Sequence, residues 1–420
     1  MTVRLTKDDK GCLEGDRGPA ASLAMRLIVR LADAMGAKKL LNITGAHIDS
    51  CLYHGPAVLD FSNRLVEGNA QVSVPTTLNV SSLDLLHPEL YRGDPDWGEQ
   101  AQRLMECYES MGCEPTWTCS PYHLDNRPSF GEQIAWAESN AIVFANSVLG
   151  ARTHRYGDFI DICAAICGRA PAAGLHLDEN RRGTLLVRLE GVTEDLLNRD
   201  VLYPVLGHYV GQIAETGVPV LHGLPAAVGE DRLKALGAAM ASAGSVGMFH
   251  VVGSTPEALT LEDAFGGEKP NVVCNVGLEE LRVARDSLST NQTSELGSIS
   301  VGTPHYSVEE IGRLVELFDG RSVHSKVDFY LSTGRSVLAE ISLRGWEEIL
   351  RSAGVTFVVD TCTYITPIIS ETYMPVMTDS AKWAYYAPGN LGVEVVFGST
   401  EDCVESAVEG SVIRDERTWS

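Results

Sequence analysis

The sequence has no Gly-x-x-x-x-Gly-Lys phosphate loop, no Gly-x-Gly-x-x-Gly dinucleotide turn, no His-Glu-x-x-His zinc helix and no Cys-x-x-Cys pair. These absences remove the readiest nucleotide-dependent, zinc-protease and zinc-ribbon readings. Basic residues are scarce as well. Lysine and arginine number 33 against 56 acids, a formal charge of −23 that repels phosphate backbones and argues against nucleic acid as a partner. No apolar run approaches the roughly 20 residues that span a bilayer, and no hydrophobic segment follows the polar stretch Met1 to Lys10. A cytoplasmic protein with no membrane partner is expected. The ten cysteines are scattered through 420 residues, too thin for a disulfide-stapled domain, so free thiols are expected.

What the chain does have is apolar residue: 44% hydrophobic against 21% charged is enough for large cores. Short β-branched runs end in Gly, Asp or Ser turns and give way to helical patterns. Val246 to Val252 runs into Gly253-Ser254-Thr255-Pro256 and a helix-like stretch from Glu257. Val355 to Val359 runs into Asp360-Thr361-Cys362, and Val393 to Phe397 into Gly398-Ser399-Thr400 and a helix over Glu401 to Glu409. That repetition predicts an α/β fold with parallel sheets, in which ligands gather beyond the carboxyl ends of strands. No linker or short repeat interrupts it. The polar stretch Ser287 to Ser298 reads as a loop between a helix and the next strand, and Gly168 to Arg182 is a second break. Lobes over 1–175, 176–295 and 296–420 fit these breaks, though one continuous α/β body reads similarly.

Cys163 and Cys167 are four apart in the helical stretch Phe159 to Gly168, but their apolar neighbours make them core thiols rather than ligands. Other segments set polar residues among glycine and proline, where a packed core would not want them. They are Gly45-Ala46-His47-Ile48-Asp49, Val74 to Asn79, Thr118-Cys119-Ser120-Pro121-Tyr122, and Asp360 to Thr363 joined to Met377 to Lys382; Gly302-Thr303-Pro304-His305 is a weaker case. Taken singly, each also reads as a capped turn or a solvated charge.

Together with Asn146 to Thr153 and Tyr385-Tyr386-Ala387-Pro388-Gly389, these segments resemble the large subunit of the aconitase X family from near Leu5 to near Gly410. The resemblance implies an aconitase-like, multi-lobed three-layer α/β/α fold with mostly parallel sheets, lacking the small swivel domain. It implies a hydro-lyase that dehydrates a β-hydroxy carboxylate, with an iron–sulfur cluster. Cluster positions fall on Cys119, Thr303 and Cys362. Threonine has no thiolate to offer iron, so the expectation is either a smaller or altered cluster on Cys119 and Cys362, completed by a neighbour such as His305, Cys51 or Cys113, or weak iron binding.

By the same resemblance Gly45, Ala46, His47, Asn79, Val80 and Lys382 line the substrate site. Backbone amides at Gly45 to His47 suit a carboxylate, Lys382 carries the catalytic positive charge, and Arg152 is a further carboxylate partner. The general base belongs to a small swivel-domain subunit, the expected partner. Two family activities share this chemistry, dehydration of cis-3-hydroxy-L-proline to Δ1-pyrroline-2-carboxylate and dehydration of mevalonate 5-phosphate. The lack of a basic cluster near the recognised segments favours the first. A cluster-less binding or regulatory subunit is the alternative of another class, which Thr303 would suit and the retained Cys119, Cys362 and Lys382 oppose.

Overall fold

The computed structural model describes residues 3–370 and 374–420, so the first two residues of the expected 1–175 lobe lie outside it. The chain forms two units. The first comprises Met1–Leu83 and Asp94–Arg182, the second Asp84–Gly93 and Gly183–Ser420.

In the first unit the strands are β1 (Leu40–Asn42), β2 (Ala46–Ile48), β3 (Thr76–Leu78), β4 (Ala135–Trp136) and β5 (Arg169–Pro171). Strands β3, β2 and β4 form a parallel sheet in that order, and β1 pairs antiparallel with β5. The sequence treated Gly45 to Asp49 as a turn, but Ala46–Ile48 is itself the central strand. The helix Pro19–Ala34 buries Ala24, Met25, Ile28 and Ala32, the 3.6-residue spacing of one helical face, against the helix Ile160–Cys167. Cys163 and Cys167 belong to that same core.

The second unit continues with β6 (Leu185–Leu189), β7 (Pro219–His222), β8 (His250–Val251), β9 (Val272–Val276), β10 (Ser298–Tyr306), β11 (Asp328–Thr333), β12 (Val355–Val358), β13 (Val376–Thr378) and β14 (Val395–Phe397). They make two parallel sheets, ordered β8-β7-β6-β9 and β12-β11-β10-β13-β14. The loop from Ser287 to Ser298 falls between the end of the helix Leu278–Ser287 and the start of β10, as its polarity predicts. One expectation fails. The strand over Val246 to Val252 shrinks to His250–Val251, and Thr255 folds back onto Val251 with its amide and hydroxyl, leaving no helix from Glu257.

Strand β10 carries the irregularity that matters most. Between Val301 and Tyr306 it advances five residues while β11 advances two, from Leu331 to Thr333, so Gly302 to His305 bulge out of the ladder. Gly302 permits this: its φ is +88°, and a Cβ there would stand 2.1 Å from the Ser332 carbonyl oxygen. The Thr303–Pro304 peptide is cis. The bulge turns Thr303 and His305 away from plain strand geometry at the carboxyl end of the central strand.

Candidate active site

In the first unit the sheet β3-β2-β4 ends on one polar edge. Asp49 follows β2, Asn79 follows β3, and Glu138 comes two residues after β4. The ladder extends to this edge, with the Asn79 amide on the Ile48 carbonyl at 2.9 Å and the Ala137 amide on the His47 carbonyl at 3.2 Å. Thr118 adds its amide to the Leu78 carbonyl at 3.1 Å, which delivers Cys119 to the same edge. Three short parallel strands thus place Asp49, Asn79, Glu138 and Cys119 beyond their carboxyl ends, with His47 inside β2.

His47 is fully buried, with Nδ1 2.8 Å from the Thr77 hydroxyl and Nε2 without a partner among the described residues. Burial strips water from the imidazolium and holds its pKa at about 3, so the ring is neutral at any working pH. The sign is that of a depressed base: protonation waits until the pH falls far below the usual histidine range. The His47 ring resonance is expected not to titrate between about pH 5 and pH 8 in nuclear magnetic resonance spectra. A midpoint inside that window would mean that water reaches the ring.

Asn79 donates to the Asp49 carboxylate, while its own Oδ1 is buried without a partner among the described residues. Asp49 is half-buried. Desolvation, reinforced by the charges of Glu138, Asp158 and Asp161, pushes its carboxyl well above the usual range. Behind it Asp161 accepts the amides of Asp49 and Ser50 at 2.8 and 2.9 Å, which fixes the turn after β2. Glu138 caps the helix Ser139–Phe144, and Asn140 ties it to the Cys119 carbonyl at 3.0 Å. Val80 is buried next to Asn79, and the Ala46 amide is spent on the Pro75 carbonyl at 3.0 Å. The amides of Gly45 to His47 are therefore not all open to a carboxylate, as the sequence suggested. Arg152 is also engaged, paired with Asp178.

In the second unit the groups stand on the bulge of β10 and after β12 and β13. His305 is fully buried on the bulge, its Nε2 3.1 Å from the Thr361 carbonyl oxygen. A carbonyl can only accept, so that nitrogen carries a proton. The thiol of Cys362, in the turn after β12, lies within 4.8 Å of the ligating atom of His305. Thr303 is buried with its hydroxyl unpartnered among the described residues, and its carbonyl accepts from Ser380. Ser380 also caps the helix Ala381–Leu391, whose second residue is Lys382. Lys382 is only 2% exposed, with its ammonium 5.9 Å from the centre of the Tyr364 ring.

Two sequence-flagged features settle elsewhere. Asn146 to Thr153 is the end of the helical turn Ala145–Leu149 and the loop after it, and its bonds are structural: the Asn146 side chain bonds both backbone groups of Thr153, and the buried Arg181 ties Asn146 to Ala151 and Leu175. Cys51 donates its thiol to the Ile48 carbonyl, and burial with nearby acids raises its pKa, so it stays a thiol. Glu138 was missed, because a two-residue strand gives no periodic signal. Asp49 was seen only as part of its segment.

Each unit thus sets buried polar groups at the carboxyl ends of parallel strands, the arrangement of an α/β enzyme. The chain belongs to the aconitase X family. Models of the first, third and second aconitase X domains match residues 2–179, 296–409 and 183–286. It is 43% identical to the cis-3-hydroxy-L-proline dehydratase of Pseudomonas aeruginosa, over 97% of this chain and 70% of that protein. It is 34% identical to the phosphomevalonate dehydratase large subunit of Methanocaldococcus jannaschii, over 96% of this chain and 99% of that one. The crystal structure of Thermococcus kodakaraensis aconitase X in its holo-form superimposes with a TM-score of 0.87 at 34% identity, covering 96% of this chain and all of that one.

Proposed function

We propose that this chain is the large, iron-binding part of a hydro-lyase that converts cis-3-hydroxy-L-proline to Δ1-pyrroline-2-carboxylate, working with a small swivel-type partner. The observation that carries the substrate is near-full-length identity. Relatives named for hydroxyproline dehydration stand at 43% and 42%, those named for phosphomevalonate at 32% to 36%. The partner is supported by the relatives whose length this chain nearly fills, which are named large subunits.

Cys119, Cys362 and His305 are the ligands of this reading. Thiolates and an imidazole are soft donors that suit iron better than the Thr303 hydroxyl, which supports taking Cys119 and Cys362 from the family pattern and His305 in place of Thr303. When bound, the iron supplies a Lewis acid for the departing hydroxyl. The reaction breaks the C2–H and C3–O bonds and releases water, leaving an enamine that tautomerises to the imine. The chain's own share is to bind and orient. Lys382 brings positive charge to the carboxylate, on which electron density grows as the C2 proton leaves. Neutral His47, Asn79, Val80 and the backbone at Gly45 and Ala46 hold the substrate. The base is assigned to the partner.

The test is an assay of the iron-loaded chain with and without the partner against both hydroxy acids. The pair should dehydrate hydroxyproline and prefer it by at least about tenfold in kcat/KM over mevalonate 5-phosphate, with the isolated chain nearly inert. A reversed preference would refute the substrate, and full activity of the isolated chain would refute the partner.

A further inference from the structure

The polar edge of the first unit contains more acid than the reaction asks of it. Asp49 and Glu138 follow two neighbouring strands at the same level of one sheet, His47 pairing with Trp136 in the parallel register. The other charges that act most strongly on Asp49 are those of Asp158 and Asp161, both acids. Two carboxyls at neighbouring positions of one sheet edge, one of them buried, are costly to ionise together unless a proton or a cation comes between them. A second observation points to a ligand. Asn79 reaches Asp49 through its amide nitrogen and leaves Oδ1, on a side chain 2% exposed, with no donor among the described residues. Beside it stands the fully buried, neutral ring of His47.

These groups define a shape of ligand. A carboxylate and an amide oxygen held beside each other are two acceptors, and the field around them is negative. What satisfies both is a cation with two N–H bonds. A phosphate or a second carboxylate would be repelled from the same place.

We propose that Asp49, backed by Glu138, is the receptor for a cationic nitrogen of the substrate, and that Asn79 Oδ1 takes the second N–H. This rests on the hydroxyproline reading and deepens it. The ring nitrogen of a hydroxyproline is a secondary ammonium carrying two protons next to the carbon that loses its own, so clamping it fixes that carbon relative to the base. Mevalonate 5-phosphate has no nitrogen and two anionic ends. Asp49 is thereby a specificity-determining residue: it rewards the amino acid and penalises the phosphorylated acid.

The experiment compares two probes on the iron-loaded chain with its partner. L-proline has the ring, the carboxylate and the ammonium, and cyclopentanecarboxylate has only the first two. By calorimetry the wild type should bind L-proline at least about tenfold more tightly, the worth of one charge-assisted hydrogen bond. Asp49→Asn keeps the shape and the acceptor for Asn79 but removes the charge. It should lose that preference and raise KM for hydroxyproline about tenfold or more, with a smaller change in kcat, while Asp49→Glu restores part of the preference. An Asp49→Asn enzyme that folds, loads iron and retains the preference for L-proline overturns the proposal. Should that variant not fold, Glu138→Gln is read the same way, a weakened preference supporting the proposal and an unchanged one overturning it. The two readings fail differently: a wild-type pair with no activity on hydroxyproline removes the substrate assignment and the inference with it, whereas an active pair indifferent to Asp49→Asn removes the inference alone.

Discussion

Cys362→Ser is expected to leave the chain folded, nearly empty of iron, and slower by about 10³-fold or more when paired with its partner. The fold should survive because the turn carrying Cys362 is built from other bonds. Asp360 takes a positive φ of 64° and is held there by Nε and Nη2 of Arg335, at 2.6 and 2.8 Å, and by the Leu85 amide at 3.2 Å. Thr361 and Thr366 close the turn with a hydroxyl pair at 2.5 Å. Serine fits the space of the thiol but is a hard, poorly ionised donor, so the soft metal loses a principal ligand. A Lewis acid is worth several kcal/mol to the departing hydroxyl, and each 1.36 kcal/mol is about a factor of ten. Iron content per chain, the spin-resonance spectrum and kcat/KM together check this. A variant that keeps both iron and turnover would show that Cys362 is not a ligand.

Lys382→Ala is expected to lower kcat by about 10² to 10³-fold, the usual loss when one donor to a developing charge is removed. The position itself argues for function. An ammonium only 2% exposed is costly to bury, and the first turn of a helix, where Lys382 sits, is the positive end of the helix dipole. A sequence that breaks two local rules at one residue is being held there by something other than stability. Thermal unfolding should accordingly show no loss in the alanine variant, and Lys382→Arg should not restore rate, because a wide planar fork does not occupy the site of a compact ammonium. A variant with unchanged kcat and a lowered melting temperature would make Lys382 structural.

Much of this was readable from residues alone, and the exceptions have physical reasons. The loop from Ser287 to Ser298 and the helix ending at Glu409 follow from local polarity and capping, which act over a few residues. The strand at Val246 was overread because a β-branched run near glycines carries no information about a threonine that folds back on it. Gly45, His47, Asn79, Cys119, Cys362 and Lys382 lay in segments dense in polar residues, and only the family resemblance gave them roles. Asp49 and Glu138 did not, because their significance comes from register across a sheet whose strands are two or three residues long. His305 looked weak in sequence, since the bulge that presents it is created by β10 running against β11, a relation between residues about thirty apart.

The ten residues Asp84–Gly93 belong to the second unit although the chain on both sides of them belongs to the first. They are fastened where the cysteine turn begins: Asp84 accepts the Val359 amide at 2.8 Å, and Arg92 bonds the carbonyls of Pro367 and Ile368 through its backbone and side chain. A gene cut after Arg182 would strand this piece on the wrong fragment, so the segment from Gly183 onward should not fold to its native state when expressed alone. The same arrangement orders events at the ribosome. The small inserted piece emerges early and must wait, exposed and unpaired, until the last third of the protein has been made. Fragment complementation across that cut, rather than autonomous domains, is the behaviour this chain path dictates.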